Sequence, residues 1–343
     1  MKLLFNLQKR RTQNDILKER LIFYLNDFLY ENYKKKYIIN EIKDDDMDNN
    51  EDENRRETYF ILNKEKLIEL IKENKLPEIR LNKYYKSLLY IIEKNIDKNI
   101  QNKDFFLYHG DIRHEKKRIG FTKTRNINDK KLVLLRSLNK DRHWKNFYNF
   151  KKNKDYNFYI KKPIIFWRGV NTGFNSKRLD RYIVIEKYFN HKKCNIGYSK
   201  IIDIKNRNNR LKKFENNLNK YLLKDEPINE FLKYKYILSL EGNDKDSGLN
   251  WKLASNSVVF MAKPCVESWL MESKLIPNYH YILLKDDYSD LIEKINWCNK
   301  NPKICINIIK NANNYMKQFK NERIENLLEK TVINIYFKYV NFV

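Results

Sequence analysis

Short apolar runs that end in turn-forming residues recur in the carboxyl half of this chain. Residues 237–240, 258–261 and 281–284 each form an apolar run with the length of a buried strand. The polar stretch 241–244 ends the first run, and apolar positions at helical spacing follow over 249–254. Strand, loop and helix therefore alternate, which is typical of an α/β fold with a parallel sheet. In such a fold, ligands bind at the carboxyl ends of the strands.

The same two periodicities predict elements along the rest of the chain. Predicted strands cover 59–62, 105–108, 132–135, 194–198 and the run that starts at Pro163. Predicted helices cover 14–35 (capped by Asn14 or Asp15), 64–72, 84–96, 176–189, 205–224, 266–271, 291–299, 302–319 and 322–337. Residues 41–57 are almost all polar and predict a solvated loop. We prefer this to a metal site at Asp44, Asp45 and Asp46, because no predicted strand or helix holds those carboxylates.

The charge of the chain is strongly positive and spread over its whole length. The 343 residues carry a formal net charge of +26, and 42% of them are hydrophobic. That apolar content predicts a globular protein with a sizeable core. Because no basic cluster is interleaved with aromatic residues in an RNA- or DNA-binding pattern, nucleic acid is not a favoured partner. An anionic membrane surface or a lipid-linked acceptor suits the charge better.

The cysteines and the apolar runs bear on the cellular compartment. Cys194, Cys265, Cys298 and Cys305 have neither CxxC pairing nor metal-ligand spacing, which predicts free thiols in a reducing compartment. The first residues contain too short an apolar run for a signal peptide, and no run of about 18 apolar residues predicts a membrane span. We therefore expect a cytoplasmic protein that is peripheral to a membrane at most.

A carboxylate at a strand end is the first candidate for chemistry. Asp111 follows the predicted strand 105–108 and Gly110, which places it at the carboxyl end of that strand. Such a position faces the cleft in a Rossmann-like layout. From the spacing alone, an ordinary Asx turn or helix cap is the preferred interpretation.

A glycine loop after another strand is the second candidate. Arg168, Gly169 and Gly173 follow the run that starts at Pro163. Glycines let the backbone approach a diphosphate, and a guanidinium offers a fork of donors that fits phosphate. The alternative is a strand-end turn with a surface arginine.

Several longer segments occur in a fixed order and are more specific than any one motif. They are WRGVNTG (167–173), LEGND (240–244), GLNW (248–251), SNSVV (255–259), VESWLM (266–271), HY (280–281) and KDDYSDL (285–291). From about residue 104 to 319, the chain resembles glycosyltransferase family 90, in particular its bacterial and viral surface-glycan members. Residues 122–125 (TKTR) and 138–144 (LNKDRHW) are also similar to family text.

The resemblance implies a fold and an activity. The implied fold is α/β of the GT-B type, with two Rossmann-like domains facing a cleft and extra N-terminal and C-terminal helices. The domains would be 1–160 on the acceptor side, 161–320 for the nucleotide sugar, and a final helix in 321–343 that packs back on the first domain. The implied activity is inverting transfer of glucose or xylose from a UDP-sugar to a hydroxyl of lipopolysaccharide, capsule or virion glycan. No metal or other cofactor is obligatory in this scheme.

The resemblance also assigns site residues. Asp111 would be the catalytic base. The residues expected to bind the sugar donor are Arg168, Gly169, Thr172, Gly173, Arg178, Gly242, Asp244, Trp251, Lys252, Ser255, Asn256, Ser257 and Glu267. The residues expected on the acceptor side are Lys123, Arg125, Arg142 and His143. For Glu267, a place on a helix surface is as good an interpretation as ribose binding, and Trp251 and Trp269 fit a plain core as well as a base- or sugar-binding site.

Two rival hypotheses stay open. Asp244 and Asp246 form a DxD sequence, which in metal-dependent glycosyltransferases binds a divalent ion that bridges the diphosphate. A non-catalytic protein on the same fold that binds glycan or nucleic acid is the other rival. No histidine pairs with another His or Cys at metal-ligand spacing, so His143 and His280 are expected to be hydrogen-bonded structural residues.

Overall fold

The computed structural model of this protein describes only part of the chain. The described residues are 12–31, 37–39, 59–62, 65, 68–69, 86–93, 103–108, 110, 119–127, 129, 131–151, 154–173, 178–202 and 218–342. The predicted loop 41–57, most of the predicted basic helix 205–224 and the predicted base Asp111 lie outside these residues.

The chain forms two compact units. Unit 1 combines Met1–Leu138 with Asn321–Val343, and unit 2 is Asn139–Lys320. The division therefore falls at Leu138 and not at the predicted residue 160. The reason is that the segment after Leu138 packs within unit 2: the rings of Trp144 and Phe319 lie 5.4 Å apart, and Lys320 Nζ donates to the Phe147 carbonyl at 2.9 Å.

Unit 1 contains a mixed sheet. The strands of unit 1 are β1 (Tyr37–Ile39), β2 (Tyr59–Leu62), β3 (Phe105–Tyr108), β4 (Gly120–Thr122), β5 (Thr124–Asn126), β6 (Leu132–Leu134) and β13 (Val340–Phe342), and four of them form the mixed sheet. The sheet order is β2-β3-β4-β6, in which β2 and β3 are antiparallel and the other pairs are parallel. β1 and β13 pair in parallel. β3 and β6 are apolar and buried along their whole length, which is typical of strands covered on both faces.

The described helices of unit 1 are α1 (Gln13–Glu31), α2 (86–93) and α10 (Glu322–Tyr339). The cap of α1 is Thr12 and not the predicted Asn14 or Asp15. The Thr12 N–H donates to Asp15 Oδ2 at 3.0 Å and the Asp15 N–H donates to Thr12 Oγ1 at 3.2 Å, which is a reciprocal capping box. Arg20 of α1 forms a buried ion pair with Glu325 of α10 at 2.7 Å. This pair joins two residues that are 305 positions apart in the sequence.

Unit 2 is built on a parallel sheet. Its strands are β7 (Lys162–Val170), β8 (Cys194–Lys200), β9 (Tyr234–Leu238), β10 (Val258–Ala262), β11 (Val266–Ser268) and β12 (Ile282–Leu284). Five of them form one sheet in the order β12-β10-β9-β7-β8, and every neighbouring pair is parallel. Counted in chain order, the strands lie 2-1-3-4-5, which is a doubly wound Rossmann-like arrangement. The predicted α/β class with a parallel sheet is confirmed.

The helices of unit 2 are α3 (Lys140–His143), α4 (Lys145–Asn149), α5 (Asp180–Tyr188), α6 (Ile228–Phe231), α7 (Leu249–Ala254), α8 (Leu291–Lys300) and α9 (Pro302–Lys317). The predicted helix 266–271 is wrong, because the chain forms β11 and a turn there. The Ser268 N–H and hydroxyl donate to the Glu272 carboxylate at 2.6 and 2.8 Å. Hydrogen bonds to the Glu272 side chain thus replace the backbone hydrogen bonds of a helix. Met271 also departs from a helical backbone, since its φ is +58°.

Two expectations from the composition can be compared with the structure. All four cysteines carry free thiols, and Cys298 and Cys305 are buried. Within the described ranges, no helix combines the length and the apolar content that crossing a membrane requires.

Candidate active site

The strand order of unit 2 points to one edge of its sheet. In a 2-1-3-4-5 arrangement, the chain reverses its direction of winding between the first and third strands, and ligands bind outside the carboxyl ends there. In unit 2 these strands are β7 and β9, which are neighbours. The loops that leave them are 171–173 and 239–246, so the candidate site lies where these two loops meet.

Two glycines let these loops touch. The Gly173 N–H donates to Asn243 Oδ1 at 2.9 Å. Gly173 has φ +99°, and a Cβ there would lie 3.2 Å from the Gly242 carbonyl oxygen. A Cβ on Gly242 would lie 2.8 Å from Arg181 Nη2 and 2.9 Å from Thr172 Oγ1. The predicted residues Thr172, Gly173 and Gly242 are therefore brought together, and neither glycine position has room for a side chain.

Arg181 is a site residue that the sequence analysis missed. Its Nη1 donates to the Val170 carbonyl at 2.7 Å and to Thr172 Oγ1, and its Nη2 donates to the Leu240 carbonyl at 3.3 Å. One guanidinium thus joins the ends of β7 and β9. Burial lowers the pKa of Arg181, although the carboxylate of Asp246 opposes that shift. The sequence did offer a signal for this residue, because Arg181 is an arginine in the first turn of α5, the helix that follows the glycine loop.

A small cleft lies beside the point where the two loops meet, between the ends of β9 and β10. Its lining includes Arg178, Ser239, Glu241, Lys245, Asp246 and Met261. The predicted Arg178 is held there by acids: its Nε lies 3.0 Å from Asp180 Oδ1, its Nη2 lies 3.5 Å from Glu241 Oε2, and its Nη1 lies 3.1 Å from Asp286 Oδ1. Asp286 is 73% exposed, so this partner is the most weakly held of the three.

A second pair of buried charges, Lys245 and Glu272, also lines the cleft. Lys245 Nζ lies 2.6 Å from Glu272 Oε1 and donates to Asn250 Oδ1 at 2.9 Å and to Ser268 Oγ at 3.1 Å. All three ammonium protons therefore have acceptors, and both charged side chains are at most 2% exposed. Such full satisfaction makes a buried ion pair a rigid support rather than a reactive group.

The predicted Lys252 forms a third pair, with Asp246. Lys252 Nζ lies 2.6 Å from Asp246 Oδ2 and donates to the Leu238 carbonyl at 2.9 Å, while the Gly248 N–H donates to Asp246 Oδ1 at 2.8 Å. Although burial opposes the shift, the Lys252 ammonium and these hydrogen bonds hold the pKa of Asp246 below its ordinary value. Asp246 is thus an ionised carboxylate that already has a cation.

This pairing bears on the rival metal hypothesis. Asp244 is buried beside Asp246, but a divalent ion on the DxD sequence would have to displace the Lys252 ammonium. Across the part of the chain that the structure describes, no group of three or more His, Cys, Asp or Glu side chains is placed to hold a metal ion. The geometry of Asp246 therefore favours a structural ion pair over a metal ligand.

The structure separates Arg168 and Trp251 from the two loops. Arg168 Nη2 donates to Asn195 Oδ1 at 2.7 Å, its Nε donates to the Lys224 carbonyl at 3.3 Å, and its guanidinium lies 4.6 Å from the Phe166 ring centroid. The fork that was expected to bind phosphate is thus engaged next to β8, and the backbone of Gly169 pairs with that strand. Trp251 is 5% exposed and packs edge-on against Phe231, which is a core position.

The structure corrects the position of Ser255, Asn256 and Ser257. They precede β10 and so lie at the amino edge of the sheet, away from the carboxyl ends of the strands. Their N–H groups donate to the Lys252 carbonyl, Asp155 Oδ2 and Ser255 Oγ, respectively. Ser257 Oγ donates to the carbonyl of Tyr234, the first residue of β9. These N–H groups are therefore already used as donors within the protein.

The remaining predicted residues are mostly buried. Glu267 lies in β11, where it is 3% exposed and its Oε2 accepts from the Ser273 hydroxyl at 2.5 Å. Arg125 donates to the carbonyls of Leu132 and Phe23, both at 2.7 Å, so it is a structural donor within unit 1. Lys123 and His143 are buried and Arg142 is exposed.

His280 yields a prediction on stability. Its Nδ1 accepts from the Ile276 N–H at 2.9 Å, and burial lowers its pKa from 6.5 to about 4. The unfolded chain therefore binds this proton more readily, so stability is full above about pH 6.5 and is lost as the pH falls towards 4. We expect a loss of about 2 kcal/mol at pH 5. Urea unfolding followed by tryptophan fluorescence measures it.

His280→Gln is the matched control for this effect, since its side-chain oxygen still accepts from the Ile276 N–H but does not titrate. Its stability should depend less on pH than that of the wild type between pH 7 and 5. Identical pH profiles for the two proteins would disprove the assignment.

Comparisons with known proteins identify sequence relatives of the chain. The family model described as Glycosyl transferase family 90 matches residues 138–342. O-glucosyltransferase LpsA of Dichelobacter nodosus is 32% identical over 63% of this chain and 61% of its own length. Protein O-glucosyltransferase 2 of Danio rerio is 37% identical over 22% of this chain and 15% of its own length. A solved structure of sucrose-phosphate synthase from Thermosynechococcus elongatus covers 54% of this chain and 52% of its own at 11% identity, with a TM-score of 0.35. The chain thus spans less than two thirds of these curated relatives.

Proposed function

Because this chain belongs to glycosyl transferase family 90, we propose that it transfers glucose from UDP-glucose to a hydroxyl group of a surface glycan. Both relatives described above are named O-glucosyltransferases, which supports glucose over xylose. The proposed acceptor class is lipopolysaccharide, capsule or virion glycan. The transfer is inverting and needs no metal ion.

The meeting of the two loops at the end of β7 and β9 is the observation that carries this proposal. Gly173 and Gly242 let the two loops touch there, and Arg178 lines the adjoining cleft. A nucleotide diphosphate needs a cation at the carboxyl ends of the strands, and Arg178 offers one at this edge of the sheet.

The diphosphate must compete with carboxylates for its cation. Lys245 and Lys252 are each held by a buried acid, whereas the Arg178 side chain is 11% exposed and one of its acids, Asp286, faces solvent. We therefore assign the diphosphate to Arg178, which would exchange Asp286 for phosphate oxygens. A guanidinium suits this exchange because it binds two oxygens in one plane.

The chemistry is a single displacement. The acceptor oxygen forms a bond to the anomeric carbon of glucose while the bond from that carbon to the diphosphate oxygen breaks. The electron pair of the broken bond leaves with UDP, and Arg178 stabilises the charge that develops on it. The acceptor proton goes to a general base, for which we propose Asp111. Attack on the face opposite to UDP inverts the configuration.

A screen of sugar donors tests the proposal. We expect UDP release to be fastest from UDP-glucose, compared with UDP-xylose, UDP-galactose and UDP-N-acetylglucosamine, with water replacing the glycan in slow hydrolysis. The rate should be the same in EDTA as in magnesium, since Lys252 already neutralises Asp246. Released UDP is measured directly for each donor.

Three results would change the proposal. Preference for UDP-xylose would replace the sugar but keep the reaction. Loss of turnover in EDTA would support a metal at Asp244 and Asp246. If no sugar donor is hydrolysed and none raises the melting temperature, the transferase assignment fails.

A further inference from the structure

One short surface segment presents apolar side chains to solvent. In residues 154–162, which are part of unit 2, Tyr156 is 45% exposed, Tyr159 is 57% exposed and Ile160 is 73% exposed. Scattered exposed apolar residues are ordinary, but three within five positions form a local patch. A side chain such as Ile160 gains free energy when it leaves water.

The segment is rigid because the residues between the exposed ones are anchored. Phe158 is 5% exposed and belongs to the core of unit 2. Asp155 and Lys161 form an ion pair of 2.7 Å with both side chains fully buried. Lys161 Nζ also donates to Ser257 Oγ at 2.8 Å, and the Asn256 N–H donates to Asp155 Oδ2. The exposed side chains are thus held in place before binding, which reduces the entropy lost on binding.

The charge around the patch is positive. Residues 151–162 read KKNKDYNFYIKK, with five lysines and one acid. That acid, Asp155, is already paired with the buried Lys161. Lys151, Lys154 and Lys162 are exposed. The patch is therefore an apolar tip with lysines on both sides.

We propose that residues 154–162 bind the surface of an anionic lipid bilayer, with Tyr159 and Ile160 inserted at the level of the headgroups. Tyrosine favours this interface, since its ring is apolar and its hydroxyl is polar. Lysines attract anionic lipid headgroups. The two tyrosines suit lipid or nucleic acid, but Ile160, the most exposed of the three side chains, is aliphatic and offers no ring on which a base can stack. We therefore favour lipid as the partner. This interaction is independent of the proposed transfer and would keep the enzyme close to a lipid-linked acceptor.

Flotation with lipid vesicles tests the proposal on the full chain. We expect binding to vesicles of phosphatidylcholine with phosphatidylserine and little binding to phosphatidylcholine alone. Ile160→Ser should lower the partition coefficient about tenfold, and Lys154→Glu about fivefold or more. Leu327→Ser is the matched control, because Leu327 is an aliphatic residue that is 62% exposed on α10 in unit 1, and it should bind like the wild type.

The outcomes separate this proposal from its rivals and from the proposed activity. Ile160→Ser should keep the wild-type melting temperature and the same rate of UDP release. Wild-type vesicle binding by both Ile160→Ser and Lys154→Glu would overturn the proposal, and so would equal binding to vesicles with and without phosphatidylserine. If these variants instead lose binding to a single-stranded oligouridine while vesicle binding persists, the patch is a nucleic-acid site and the lipid proposal is wrong.

Discussion

Replacing Lys252 by methionine is expected to destabilise unit 2 by about 3–5 kcal/mol. Lys252 and Asp246 lie 2.6 Å apart, and their side chains are 5% and 10% exposed. Removal of the ammonium leaves a buried carboxylate without its cation, and the desolvation of that charge is no longer offset. All five tryptophans of the chain lie in 139–320, so the urea midpoint of tryptophan fluorescence reports on unit 2.

A second substitution separates the charge from the packing. Adding Asp246→Asn to Lys252→Met removes the unpaired charge and should restore part of the lost stability. Lys317→Met, at an exposed position of α9, should change the free energy of unfolding by less than about 0.5 kcal/mol. If Lys252→Met unfolds at the same urea concentration as the wild type, the ion pair makes no net contribution.

Asp111→Asn should lower kcat for UDP-glucose hydrolysis by about 10²–10⁴-fold, the range for loss of a general base. KM for UDP-glucose should change little, because the base contacts the acceptor oxygen and not the nucleotide. In the sequence, Asp111 follows the buried strand β3 and Gly110, which has φ +90°. The rate of UDP release, measured over a range of UDP-glucose concentrations, gives both constants.

Asp225→Asn is the matched control for this variant, since Asp225 is exposed and should show wild-type rates. Binding is followed separately, through the rise in melting temperature with UDP-glucose. Should Asp111→Asn bind the sugar donor and hydrolyse it at the wild-type rate, another group must take the acceptor proton.

The elements that the sequence predicted well are those with a strong apolar pattern. β3 and β10 are continuous apolar runs, and the structure buries each of them in a sheet. The family predicted from the ordered motifs is also confirmed, since the family model matches 138–342. The helix predicted over 266–271 failed because local periodicity does not reveal that Ser268 donates to Glu272.

The candidate site was predicted less completely, because a sequence lists charges without their partners. Lys252 was expected to face a diphosphate, but it neutralises Asp246. Lys245 and Glu272 were not singled out, although they form a buried pair. Arg181 was missed since its acceptors are carbonyl groups, which every residue has. For Ser255 and Ser257, the sequence did not reveal at which edge of the sheet they lie.

The division of the chain has a consequence for its synthesis. Unit 2 is one continuous segment, and its two ends pack together through Trp144 and Phe319, so a ribosome can release it ready to fold. Unit 1 is different, because α10 supplies Glu325 to Arg20 and the Tyr336 ring, 4.2 Å from Phe121, to its core. The amino-terminal part of unit 1 must therefore wait, incomplete, while all of unit 2 is translated. Vectorial synthesis thus favours folding of the later-encoded unit first, and we expect the early segment to be the part that is most exposed to aggregation during translation.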